Sequence, residues 1–150
     1  MHTIDNLKAS LDKIATELTA TPPKEVAEGV YLLDIPLILK DGSKRYQYVY
    51  VRIVPQRYKG KDCILVNSRC GMYNPGINTY QLLKENSFGV YTTITIYQDK
   101  TSDDKDCETV VVQASPVAEA TSIELLKLII WEVAEAADII EEKFFGGDKN

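Results

Sequence analysis

The sequence predicts an α+β domain: an antiparallel five-stranded sheet with helices packed on one face, in the order α-βββ-α-ββ-α. Two observations carry that prediction. From Thr121 to Phe145 the large apolar residues fall at Ile123, Leu126, Ile130, Val133, Ile140 and Phe144, with Ala137 filling the gap. That three-then-four spacing is the mark of a helix with one buried face. Elsewhere apolar and polar residues alternate, as in half-buried strands, between turn signals such as Asp41-Gly42.

In chain order, Ile4, Leu7, Leu11, Ile14 and Leu18 predict an opening helix, with Thr3 or Asp5 as its N-cap and Pro22-Pro23 as its stop. Val30 to Leu39 is an apolar run leading into the Asp41-Gly42 turn, and Pro36 within it suggests an edge strand or a bulge. The second strand, 45–54, places Val49, Val51 and Ile53 on one face and Tyr46, Tyr48 and Tyr50 on the other. A loop over 55–62 leads to a third strand, 63–69. A loop over 71–78 and a short helix over 79–86 follow. The fourth strand, 90–97, sets Val90, Ile94 and Ile96 against Tyr91, Thr93, Thr95 and Tyr97. The polar tract 98–106 reads as a hairpin loop, and 107–114 as the fifth strand. Thr121 with Glu124 reads as a capping box for the last helix, Gly146-Gly147 as its stop, and the stretch spans roughly 36 Å.

The 150 residues suit one domain with a substantial core. No apolar run approaches the ~20 residues of a membrane span, and residues 1–8 lack the apolar centre of a signal peptide. Three cysteines without motif spacing suit reduced thiols, so a cytoplasmic location is expected. The net charge of −5 argues against nucleic acid as the main partner. Between Lys40 and Lys61, however, seven basic residues face one acid, Asp41, giving that segment +6 and leaving −11 elsewhere. Either this is a solvated hairpin, or Lys44, Arg45, Arg57 and Lys59 form a surface for an anionic partner.

Catalytic candidates are few. The single histidine, His2, lies at the start of the chain, and Cys63, Cys70 and Cys107 read as small buried hydrophobes. The acids Asp99, Asp103, Asp104 and Asp106 lack the glycine and closing glutamate of a calcium loop. No phosphate-binding glycine loop or nucleophile elbow occurs. The expectation is a protein without catalytic residues, metal or cofactor. On a helical wheel the only tryptophan, Trp131, falls among Glu124, Lys127, Glu135 and Asp138, opposite the apolar stripe. It is either covered by the chain's own loops or an anchor for a partner or dimer mate. Tyr46, Tyr48, Tyr50, Tyr91 and Tyr97 are expected on an outer, half-wet sheet face, as ordinary cross-strand pairs or as contact area for a partner.

The second half resembles the type III secretion chaperone-like fold, which includes YbjN-like proteins. Leu82-Leu83-Lys84-Glu85-Asn86 is similar to that family's "LLxxN" helix, and the Ser115-Pro116-Val117 link with Ala137-Asp138-Ile139-Ile140-Glu141 is similar to its C-terminal block. The resemblance implies a non-enzymatic, usually dimeric domain that holds an extended partner segment along sheet edges and apolar patches. A protein-binding or chaperone-like homodimer is the resulting expectation, with Trp131, the tyrosine rows and the strand from Tyr31 to Leu39 as its contact residues. A small-ligand sensor with a pocket between sheet and helices is the alternative.

Overall fold

The computed structural model describes residues 6–146. It contains α1 (Leu7–Glu17), β1 (Lys24–Ala27), β2 (Val30–Ile38), β3 (Lys44–Tyr58), β4 (Lys61–Met72), α2 (Thr79–Lys84), β5 (Thr93–Lys100), β6 (Asp106–Ala114) and α3 (Ile123–Phe145). The fold is α+β, and its sheet is antiparallel throughout, in the order β1-β2-β3-β4-β6-β5.

Six strands replace the expected five. The addition is β1, whose four residues are all exposed and so carry no alternating signal. It pairs with the start of β2 across the Glu28-Gly29 turn, where Glu25 accepts the Gly29 N–H at 3.0 Å. A second correction concerns residues 55–62. They form a hairpin, not a long loop, because β3 and β4 extend to the two-residue turn Lys59-Gly60. Both turn residues have positive φ (50° and 73°), as tight hairpins require. Pro55 falls where the β3–β4 register is irregular, between Val54 and Tyr58, so its missing N–H breaks no regular ladder.

The alternation places Leu33, Ile35, Val49, Val51, Ile64, Val66, Val110 and Val112 in the same buried cluster as Leu126, Ile130, Val133, Ala137 and Ile140 of α3. Leu7, Leu11 and Ile14 of α1 and Leu82 of α2 join that cluster. Each of the valines, leucines and isoleucines among them contributes roughly 1.5–3 kcal/mol when fully buried. One polar group crosses this layer: Gln47 Nε2 donates to Glu141 Oε1 at 2.7 Å and to Ser68 Oγ at 2.9 Å, tying β3 and β4 to α3. Near its C-terminus α3 lies close to β4. A Cβ on Gly71 would come within 2.5 Å of the Phe145 ring, so only glycine fits beneath it.

Helix ends differ in detail from expectation. The cap of α3 is Ser122, whose side chain accepts the Leu125 N–H at 3.0 Å, whereas the Thr121 hydroxyl is buried and donates to the Val117 carbonyl at 2.7 Å. The left-handed Gly146 (φ 75°) stops the helix. The first helix ends at Glu17, well before Pro22-Pro23, because Thr19 turns left-handed (φ 57°) and the Ala20 N–H returns to the Ala15 carbonyl. Ile4 and the expected caps Thr3 and Asp5 lie outside the described residues.

Candidate functional site

Strand β2 is half covered. β1 pairs only with Val30, Tyr31 and Leu32, so among the described residues no strand lies outside Leu33 to Ile38. The Leu39 N–H donates to Ser43 in the β2–β3 hairpin at 2.8 Å, and the pairing from there to Tyr31 has no bulge. Alternation therefore turns the backbone of Asp34, Pro36 and Ile38 outward. Pro36 thus sits at a position where an edge strand tolerates a missing N–H, and of the two structures suggested by its presence the edge is the one realised.

Beside this edge runs a groove of about 1100 Å³, lined by Leu37 and the Ile38–Asp41 stretch of the hairpin, by Trp131 and Ile139 of α3 and by Leu18. Trp131 is 43% exposed and Ile139 50% exposed, so the described residues leave nearly half of the tryptophan uncovered. Charges rim the groove in pairs. Lys127 bridges Glu124 at 2.9 Å and Glu17 at 3.4 Å, and both raise its pKa, Glu124 the more. Burial, then neighbouring Glu132, raises the pKa of Glu135.

Arg45, expected on an anion-binding surface, is on this rim. Its guanidinium donates to Asp138 at 2.6 Å and to Glu142 at 3.1 Å, and these bonds raise its pKa. Of the two readings offered for the basic segment, neither anticipates this pairing of Arg45 with α3. Lys44 and Lys59 are exposed, Lys59 in the β3–β4 turn 5.6 Å from the Tyr58 ring centre, and Arg57 lies elsewhere, on the open sheet face. The four basic residues do not form one surface.

The open face carries Tyr46, Tyr48, Tyr50 and Arg52 along β3, with Tyr97 across the sheet on β5. Arg69 of β4 lies 5.5 Å from the Tyr50 ring centre and bonds Asp99 at 3.0 Å. Asp34 belongs to the same side, with its Oδ1 buried and unpartnered, and burial raises its pKa.

Tyr91 does not join the row. β5 begins only at Thr93, and the bend before it is held to α3 by the Glu132 carboxylate. That carboxylate accepts the N–H groups of Val90 (3.1 Å), Tyr91 (2.8 Å) and Thr92 (2.9 Å). Sequence reasoning missed Glu132, since a helix-face glutamate gives no hint that it will cap a distant bend. It also passed over Arg52, although Arg52 continues the Tyr46–Tyr50 alternation.

Among the described residues no group of three or more His, Cys, Asp and Glu is placed to hold a metal ion, and no helix is long and apolar enough to cross a membrane. Cys63 and Cys70 are buried free thiols, and burial, then Glu141, pushes the Cys70 pKa up. That shift makes it a poor nucleophile. Compared with protein-family models and with curated proteins, the chain matches none.

Proposed function

We propose that the chain is a non-enzymatic polypeptide-binding module that receives an extended, apolar-patterned segment in the groove between α3 and the free half of β2. One observation carries the reading: the molecule's only tryptophan stands half exposed beside a strand edge that lacks a neighbour. Exposed tryptophan is enriched among binding anchors, and a free edge offers backbone groups to an extended chain. The resemblance of the second half to chaperone-like domains supports the same class.

Pro36 refines the mode. It supplies no outward N–H, so an added strand makes a broken ladder at its centre. Side chains entering the groove against Trp131 and Ile139 must then supply most of the affinity. A second copy of the chain is the competing occupant, and sedimentation velocity of the free protein tests it.

The test is selection from a displayed peptide library, followed by titration of the winners against wild type and Trp131→Ala. Selected peptides should alternate apolar and polar residues. The substitution should weaken binding at least about tenfold, the scale of an interface anchor, with the melting temperature nearly unchanged. Failure to select any peptide, or equal binding by the variant, rejects the groove. So does a concentration-dependent dimer that occupies Trp131.

A further inference from the structure

The open face of the sheet lies away from the groove and has a chemistry of its own. Over β4 and β6 it forms a shallow concavity of about 550 Å³, with Leu65 and Val111 among its lining residues and Arg52, Arg57, Tyr97 and Gln113 also lining it. The arginine ion pairs of the described residues belong to Arg45 and Arg69, so Arg52 and Arg57 have no carboxylate partner there.

The position of Arg57 follows from a backbone irregularity. Regular alternation from Arg52 would send residue 57 to the other side of the sheet. The register shift between Val54 and Tyr58 breaks that alternation, and Gln56 adopts a left-handed φ of 53° with its N–H held by Asp62 Oδ1 at 3.0 Å. A bulge that re-aims a side chain and a non-glycine residue at positive φ are both features that cluster at functional sites. Here they bring a second arginine to the side of Arg52. Burial raises the Tyr97 pKa, the nearby Arg57 and Arg52 offset that rise in part, and the Tyr97 hydroxyl donates to Gln113 Oε1.

We propose that this concavity binds a phosphate-bearing small molecule, its phosphate held between Arg52 and Arg57 and its body resting on the Tyr50 and Tyr97 rings, which stand half-buried over Leu65 and Val111. Phosphate fits better than carboxylate because its oxygens can engage two guanidinium forks at once, whereas one fork satisfies a carboxylate. The half-buried Tyr50 and Tyr97 rings in the lining call for more than a bare ion. This site does not depend on the groove, and either can fail alone.

Calorimetric titration of the full chain at matched ionic strength tests the proposal, with phenyl phosphate and pyrophosphate as probes and benzoate as the carboxylate control. Phenyl phosphate should bind more tightly than benzoate. Arg52→Gln and Arg57→Gln should each weaken it about tenfold or more, the scale of a lost charge-assisted hydrogen bond. Lys13→Gln on α1, exposed and remote, should bind as wild type does. Unchanged melting temperatures for the arginine variants would show that folding is intact. Absence of binding by both phosphate probes, or equal binding by the arginine variants, overturns the site. A single-stranded oligonucleotide binding far more tightly than either probe overturns the small-molecule assignment.

Discussion

The two faces of the sheet come from the same alternating strands and have opposite characters. The α3-facing side is largely aliphatic and covered, with Val49, Val66 and Val112 fully buried and the Gln47–Ser68–Glu141 cluster as a polar exception. The open side carries tyrosines, arginines and Asp34 in partial contact with water. Within the regular stretches, alternation decides which residue goes where. What each face contributes depends on what covers it. The covered face holds the fold together, and the open face and the uncovered edge are where the two proposed binding sites lie.

The comparison breaks first, and most visibly, at its centre. Leu126→Ala removes a fully buried side chain of α3 from the closed face and should cost about 2–5 kcal/mol in urea unfolding. A cost below 1 kcal/mol would mean that α3 is not the lid of this face.

A second prediction sharpens the exception within the closed face. Gln47→Leu deprives the buried Glu141 carboxylate of the donor at 2.7 Å and should destabilise by about 1–3 kcal/mol despite its greater apolarity. Adding Glu141→Leu should recover much of that loss, since replacing a whole buried polar pair by apolar residues is often neutral. If the double variant is worse than the single, the polar tie contributes more than its desolvation costs.

The smallest effect concerns Asp34 on the open side. Burial raises its folded-state pKa, so the folded protein holds this proton more tightly than the unfolded chain. Its relative contribution to stability is therefore fully present below the unfolded pKa and lost as pH rises through the folded one. Asp34→Asn should stabilise the protein modestly at neutral pH, and the gain should vanish on acidification. A gain that persists at low pH would assign the effect to something other than this carboxyl.

Legibility in the sequence follows the same division. The helix from Ile123 and the alternation of β3 were readable because burial repeats along them with a period of 3.6 or 2. Strand β1 was not, since none of its residues is buried and pairing with β2 is all that defines it. Pro55 hid the ends of β3 and β4, because a proline at an irregular register looks in sequence like a proline in a loop.

The candidate sites were legible in proportion to their regularity. Trp131 was placed on the outer side of α3 by the helical wheel, and the structure leaves it 43% exposed there. Tyr46, Tyr48 and Tyr50 followed from period two. Tyr91 failed because the strand starts three residues later than its alternation suggested. Arg45 was missed as a partner of Asp138 and Glu142, which lie over ninety residues away. Arg57 reaches the open face only through a bulge, and no sequence pattern marks where a register will slip.

The central claim, that a partner segment lies against the free half of β2 beneath Trp131, is tested most directly by amide hydrogen exchange with and without a selected peptide. The account predicts slowed exchange at Asp34 and Ile38, whose N–H groups point outward, together with a change in Trp131 fluorescence. Protection confined to Tyr46–Arg52, with the β2 edge and Trp131 unchanged, would contradict it and move polypeptide recognition to the open face of the sheet.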